Sequence, residues 1–156
     1  MRVMVVAVGR VRGDLAPVVR EYEERAGRYW KLDVIEVTAG TGSGQASAAR
    51  VQESEAERIL ARISSEFEVV ALTRVGKTMG SRELAGYLEE HAVGSSAGAA
   101  FVIGGAFGLA ASVLKRASRK LSLSTFTLPH EMARLVLVEQ LYRAGTLVRG
   151  EPYHKA

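Results

Sequence analysis

Ala100-Phe101-Val102-Ile103-Gly104-Gly105-Ala106-Phe107-Gly108 is the stretch on which the fold turns. Four apolar residues suited to a buried strand run straight into a turn containing three glycines. A helix over 109–118, a strand over 121–126 and a helix over 130–147 continue the rhythm. The same alternation runs upstream. Val3 to Val8 is a continuous apolar run, the signature of a strand buried on both faces. Asp14 to Tyr29 reads as a helix, with Asp14 as candidate N-cap and Pro17 tolerated in the first turn. Lys31 to Thr38 is a second strand. Ala48 to Ser64 is a helix, because Val51, Ala56, Ile59, Leu60 and Ile63 recur at helical spacing. Phe67 to Thr73 is a third strand, a helix opens at Ser81 and runs to about His91, and Gly94 to Gly98 is a small-residue linker. Alternating strands and helices with apolar strands predict an α/β domain with a parallel sheet and helices on both faces. No internal repeat or boundary interrupts residues 1–156, so one domain is expected. The Gly/Ser-rich segment 39–47 is the one candidate hinge and reads as a surface loop.

A chain of 156 residues can bury a proper core, and 47% apolar with 24% charged residues is ordinary for a globular protein. With no cysteine there is no disulfide framework, thiolate metal site or cysteine nucleophile, which fits a reducing compartment. No run approaches the roughly 20 apolar residues that span a bilayer, and Val3 to Val8 is too short for a signal-peptide core. A cytoplasmic protein without a membrane partner is expected. The net charge of +4 is unevenly placed. From Lys115 onward there are eight basic residues and three acidic ones, leaving about −1 for the rest. A basic C-terminal third suggests an anionic partner, RNA being the obvious one. The plainer reading of Lys115, Arg116, Arg119 and Lys120 is a solvated helix end.

Scarce polar residues collect in this same apolar third. Gly104-Gly105-x-x-Gly108 after a strand resembles a nucleotide-binding turn, in which glycines let the backbone approach a ligand. A dinucleotide fold would want an acid at the end of the next strand, and Leu121 to Thr127 has none; there is no Gly-Lys-Ser/Thr, so a P-loop is excluded. A ligand-free tight turn is the alternative. Leu121-Ser122-Leu123-Ser124-Thr125-Phe126-Thr127-Leu128-Pro129-His130 is more specific. Proline stops the strand and sets His130 near a helix start. Such a segment offers backbone amides and carbonyls around an apolar slot that suits an adenine ring; a half-buried strand with a solvated Ser/Thr face is the bland reading. In the last helix His130 and Arg134 are four apart, as are Glu139 and Arg143, the latter pair also readable as a structural ion pair. His91 reads as a surface histidine at a helix end. The tail Tyr153-His154-Lys155 combines an aromatic, a titratable group and a cation, the combination that single-stranded RNA recognition uses.

Taken together these pieces resemble a known family, the bacterial SPOUT-class methyltransferases that methylate N3 of a pseudouridine in large-subunit (23S) ribosomal RNA. The matching pieces are Val6-Ala7-Val8-Gly9, Ala71-Leu72-Thr73, Val102-Ile103-Gly104-Gly105-x-x-Gly108 and Leu121-Ser122-Leu123-Ser124. Leu128-Pro129-His130, Val138-Glu139-Gln140-Leu141-Tyr142-Arg143-Ala144 and Gly150-Glu151-Pro152-Tyr153-His154-Lys155 complete them. The likeness spans essentially the whole chain and departs mainly at 39–50. It implies a C-terminal trefoil knot over about 70–156, an exception to the rule that folds are unknotted. It implies S-adenosylmethionine as methyl donor, held in the knot by Leu72, Gly104, Gly105 and the loop Leu123, Ser124, Thr125, Phe126, Thr127 and Leu128. It implies a homodimer whose partner subunit completes the site, and assembled ribosomes as substrate.

Methyl transfer needs donor carbon and acceptor nitrogen held in line at about 3–3.5 Å, and the acceptor imide must lose a proton. His130, His154 and Glu139, in that order, are the candidate bases. Arg134, Arg143 and Lys155 would bind phosphate or uracil oxygens, and Tyr142 and Tyr153 would stack on or orient the base. No metal is required. A non-catalytic RNA-binding or ribosome-assembly module, and a small nucleotide-dependent hydrolase using His130 and Glu139, are the competing readings.

Overall fold

A computed structural model describes residues 1–40, 45–94 and 97–153, with Gln45 and Ala46 described in their backbone alone. Ten elements alternate: β1 (Arg2–Val8), α1 (Leu15–Ala26), β2 (Lys31–Val37), α2 (Gln45–Leu60), β3 (Phe67–Thr78), α3 (Ser81–Val93), β4 (Gly98–Ile103), α4 (Ala111–Arg116), β5 (Arg119–Ser122) and α5 (His130–Val148). The five strands form one parallel sheet in the order β2-β1-β4-β3-β5. The α/β architecture expected from the alternation is therefore present.

Side-chain alternation explains why both faces are covered. On β1, Val3, Val5 and Ala7 point to one core and Met4, Val6 and Val8 to the other, all nearly inaccessible. On β4, Ala99, Phe101 and Ile103 share the first core, Ala100 and Val102 the second. The first core is closed by Ala26, Leu84, Leu88, Leu137 and Leu141 of α1, α3 and α5. The second is closed by Ala56, Ile59 and Val113 of α2 and α4. The Trp30 indole N–H donates to the Leu141 carbonyl at 2.8 Å, satisfying a polar group that would be costly to bury alone and tying the turn after α1 to α5.

Several boundaries differ from expectation for local reasons. Asp14 precedes α1 as expected, yet its side chain makes no capping bond; the Gly13 carbonyl accepts instead, from the Ala16 amide at 3.1 Å. The strand expected over 121–126 ends at Ser122. There the Ser122 hydroxyl donates to the Ser124 carbonyl at 2.9 Å, and the Phe126 amide donates to the Ser124 hydroxyl at 3.0 Å. Serine side chains thus take over the bonds a ladder would need, and the Ser/Thr run becomes a loop. The third strand runs on past Thr73 to Thr78, with an irregularity: Leu72 and Lys77 both lie opposite Leu121, so residues 73–76 bulge out of register. Gly76 permits this, because a Cβ there would sit 2.6 Å from the Lys120 carbonyl carbon and oxygen. His91 is not a plain surface histidine. It is half-buried, its Nε2 lies against the Glu68 carboxylate, and its Nδ1 lies 2.8 Å from the Tyr87 carbonyl. The helix α2 opens at Gln45, inside the segment 39–47 expected as a loop; residues 41–44 of that segment, residues 95 and 96 of the small-residue linker, and His154, Lys155 and Ala156 of the tail lie outside the described residues.

Candidate functional site

In an open parallel sheet, ligands collect at the carboxyl ends of the strands, where each strand gives way to a loop. Here the loops after β4 and β5 and the bulge late in β3 enclose a cavity of about 580 Å³. Leu72, Gly104, Gly105, Leu123, Ser124, Phe126, Thr127 and Leu128, all expected at a cofactor site, line it together. Thr125, the ninth, is exposed and is not part of the lining. His130 joins the wall from the first residue of α5.

Each wall has a local cause. The glycine turn is tight: the Gly108 amide donates to the Gly105 carbonyl at 3.0 Å, and Gly108 takes φ of +77°. A Cβ on Gly104 would come within 2.9 Å of the Gly108 backbone, so only glycine lets these segments close together. Leu72, Ile103, Leu121, Leu123 and Leu128 supply apolar surface between polar backbone groups. Val75, Phe107 and Phe126 belong to the lining yet remain exposed, Phe126 at 79%. Apolar walls, peptide groups and a glycine-rich turn suit a flat heterocycle carrying a small polar edge. That donor set fits an adenosyl group.

The residues expected to be catalytic do not gather in one place within the chain. His130 is at the cavity, about one-third exposed, its Nε2 3.9 Å from Glu131. Its Cε1 lies 3.6 Å from where a Cβ on Gly9 would be. Arg134, one turn further along α5, is held by two carboxylates: Nη1 donates to Glu36 at 2.6 Å and Nη2 to Glu23 at 3.0 Å. Glu139, Tyr142, Arg143 and Tyr153 form a third group. Glu139 starts nine residues after His130, about 13 Å along the helix axis. Its Oε1 accepts from Arg143 Nη2 at 2.6 Å, Arg143 Nε at 3.1 Å and the Tyr153 hydroxyl at 3.0 Å, and its Oε2 accepts from Gln140 at 2.7 Å. Arg143 also lies over the Tyr153 ring at 4.9 Å, and the Tyr142 and Tyr153 rings are 4.5 Å apart. The bond to Glu139 raises the Arg143 guanidinium above its usual range. Burial, with hydrogen bonding to Tyr22 and Glu139, pushes the Tyr153 hydroxyl up. Tyr153 is therefore a neutral donor that anchors the C-terminal segment on α5. His154 lies outside the described residues.

Sequence reasoning missed other wall residues: Thr73, Arg74 and Val75 reach the cavity through the β3 bulge, and Phe107 through the glycine turn. Nothing local signals the bulge, because the register it breaks belongs to a pairing with β5. Glu55 is a second omission. It lies 3% exposed beneath the turn, accepts from the Gly40 amide at 2.9 Å, and sits within 3.1 Å of where a Gly105 Cβ would be. Its helical spacing marked only the apolar neighbours.

The family described as "Predicted SPOUT methyltransferase" matches residues 1–154. "Ribosomal RNA large subunit methyltransferase H" of Gemmatimonas aurantiaca is 53% identical over 156 residues, covering 99% of this chain and all of the relative. Proteins of the same name from Anaeromyxobacter sp. and Listeria monocytogenes are 46% and 42% identical, with the same coverage. A solved structure titled "Crystal structure of an hypothetical protein" superposes with a TM-score of 0.53 at 14% identity, over 95% of this chain and 81% of that one. This last likeness concerns the fold alone.

Proposed function

The chain belongs to the SPOUT methyltransferase family, and on that premise we propose that it methylates large-subunit ribosomal RNA, using S-adenosylmethionine to modify N3 of a pseudouridine. The observation that carries this reading is the cavity at the strand ends, with its glycine turn, apolar walls and His130. S-adenosylmethionine supplies an electrophilic methyl group when bound. The glycine turn and the loop 123–128 would hold the adenosyl portion through backbone groups, with Leu72 and Leu128 excluding water.

His130 is the proposed base for the acceptor imide proton, because it alone among the described candidates stands on the cavity wall. Arg143, Tyr142 and Tyr153, organised by Glu139, would grip the acceptor nucleotide, and His154 and Lys155 would extend that grip. These groups are too far along α5 from His130 to serve the same cavity. A homodimer, in which the tail of one subunit meets the cavity of the other, brings them together. A trefoil knot over about 70–156, a single domain and a cytoplasmic, ribosome-bound setting belong to the same proposal.

Calorimetric titration with S-adenosylmethionine should give saturable one-site binding. Tritiated methyl transfer should label assembled ribosomes in preference to free ribosomal RNA. Folded protein that labels neither defeats the enzymatic reading and leaves a non-catalytic RNA-binding module in its place.

A further inference from the structure

We infer that the groove between the β1–α1 loop and α5 seats a backbone phosphate of the RNA strand that presents the acceptor base. This rests on the methyltransferase reading above. The groove, about 530 Å³, is lined by Arg10, Arg12, Arg20 and Arg134 against Glu23 and Glu36. Four cations against two carboxylates leave two net positive charges. Both carboxylates are already engaged by Arg134. Arg10, Arg12 and Arg20 are exposed and make no ion pair among the described residues. Arg134 is only 6% exposed, and its Nε has no hydrogen-bond partner among the described residues. An unpaired N–H on a buried guanidinium is destabilising.

Position supports the same ligand. Arg10 follows Gly9, and Gly9 packs against His130 of the cofactor cavity. The arginine groove and the cavity are thus neighbours across one thin wall. A strand held by phosphate in the groove would present its base over that wall. Phosphate contacts set the register in which a base is offered, and guanidinium forks match phosphate oxygens well.

The test is the variant Arg10→Ala/Arg12→Ala/Arg20→Ala, with Arg10→Lys/Arg12→Lys/Arg20→Lys as its charge-preserving control. S-adenosylmethionine affinity and melting temperature should match wild type. KM for ribosomes should rise at least tenfold, with kcat changed less than threefold. The slope of log KM against log salt should flatten by about one unit for each phosphate no longer neutralised by an arginine. The lysine variant should keep most of that slope. Unchanged KM and salt slope in the alanine variant overturn the proposal. So does a change of oligomeric state by light scattering with the slope intact, which would assign the groove to a second copy. If wild type transfers no methyl group, the functional reading has failed independently. Titration of a labelled 12-nucleotide RNA then decides the groove: loss of affinity and slope in the alanine variant supports it, and equal binding refutes it.

Discussion

Arg134→Met would show whether Arg134 serves the fold or a substrate. Methionine keeps the apolar stem and deletes the guanidinium. Two charge-assisted bonds go, at 2.6 Å to Glu36 and 3.0 Å to Glu23. Removing one partner of a fully buried ion pair costs about 3–5 kcal/mol, most of it the stranded charge. Here the stranding is incomplete: the Glu36 side chain is 35% exposed and can rehydrate, while Glu23 at 16% can do so less. Burying methionine rather than a cation also returns some desolvation free energy. A loss of about 2–3 kcal/mol is therefore expected. For a chain of this size that lowers Tm by roughly 4–12 °C. Scanning calorimetry and urea unfolding at pH 7 measure it. Adding Glu23→Gln and Glu36→Gln to Arg134→Met should recover part of the loss, because no unpaired charge then remains. A Tm within about 1 °C of wild type would refute this reasoning. It would mean that both carboxylates are already hydrated and that the guanidinium contributes nothing to the fold.

His130→Ala should lower methyl transfer about 10²–10⁴-fold, the usual span for a lost general base, with S-adenosylmethionine affinity within a few-fold by calorimetry; a wild-type rate removes His130 from the mechanism. Gly76→Ala must displace the β5 backbone that a Cβ would meet at 2.6 Å, so donor affinity should fall and stability drop by about 1–3 kcal/mol in urea unfolding; unaltered values for both would show the bulge to be freely deformable. Glu68 gives a pH signature. Burial alone would raise its carboxyl, but hydrogen bonds from Tyr87 and Ser118, with the His91 and Arg119 charges, carry it below the usual range. A carboxylate depressed in the folded state stabilises above the ordinary value of 4.5, and that contribution disappears as pH falls through the lowered folded value. Glu68→Gln should therefore lower Tm at pH 7 and lose that disadvantage as the pH falls below 4.5 and through the lowered folded value, followed by thermal melts across the range. A constant difference between variant and wild type would contradict the assignment.

Particular residues show which parts of this were legible. Val3 to Val8 and Ala100 to Ile103 read as two-face-buried strands because apolar side chains at successive positions have no other stable placement. Gly104-Gly105-x-x-Gly108 and Leu128-Pro129-His130 marked the turn and the helix start, since glycine and proline act on the backbone locally. The Ser/Thr run after Leu121 misled: its alternation imitates a strand, and only the Ser122 and Ser124 side-chain bonds make it a loop. Spacing placed Arg134 beside His130, yet its partners Glu23 and Glu36 are 111 and 98 residues away in sequence.

The sequence by itself determined what depends on local chemistry: the alternation of strands and helices, the glycine turn and the basic C-terminal third. Tertiary structure alone decided how those residues are divided. It assigned His130 to the cavity, Arg134 to two carboxylates and Glu139 to the tail. It also joined Arg10, Arg12 and Arg20 to α5 in one groove. The physical reason is that pairing, burial and electrostatic balance are set by neighbours across the sheet, and their identity exists only once β1, α1 and α5 have packed together.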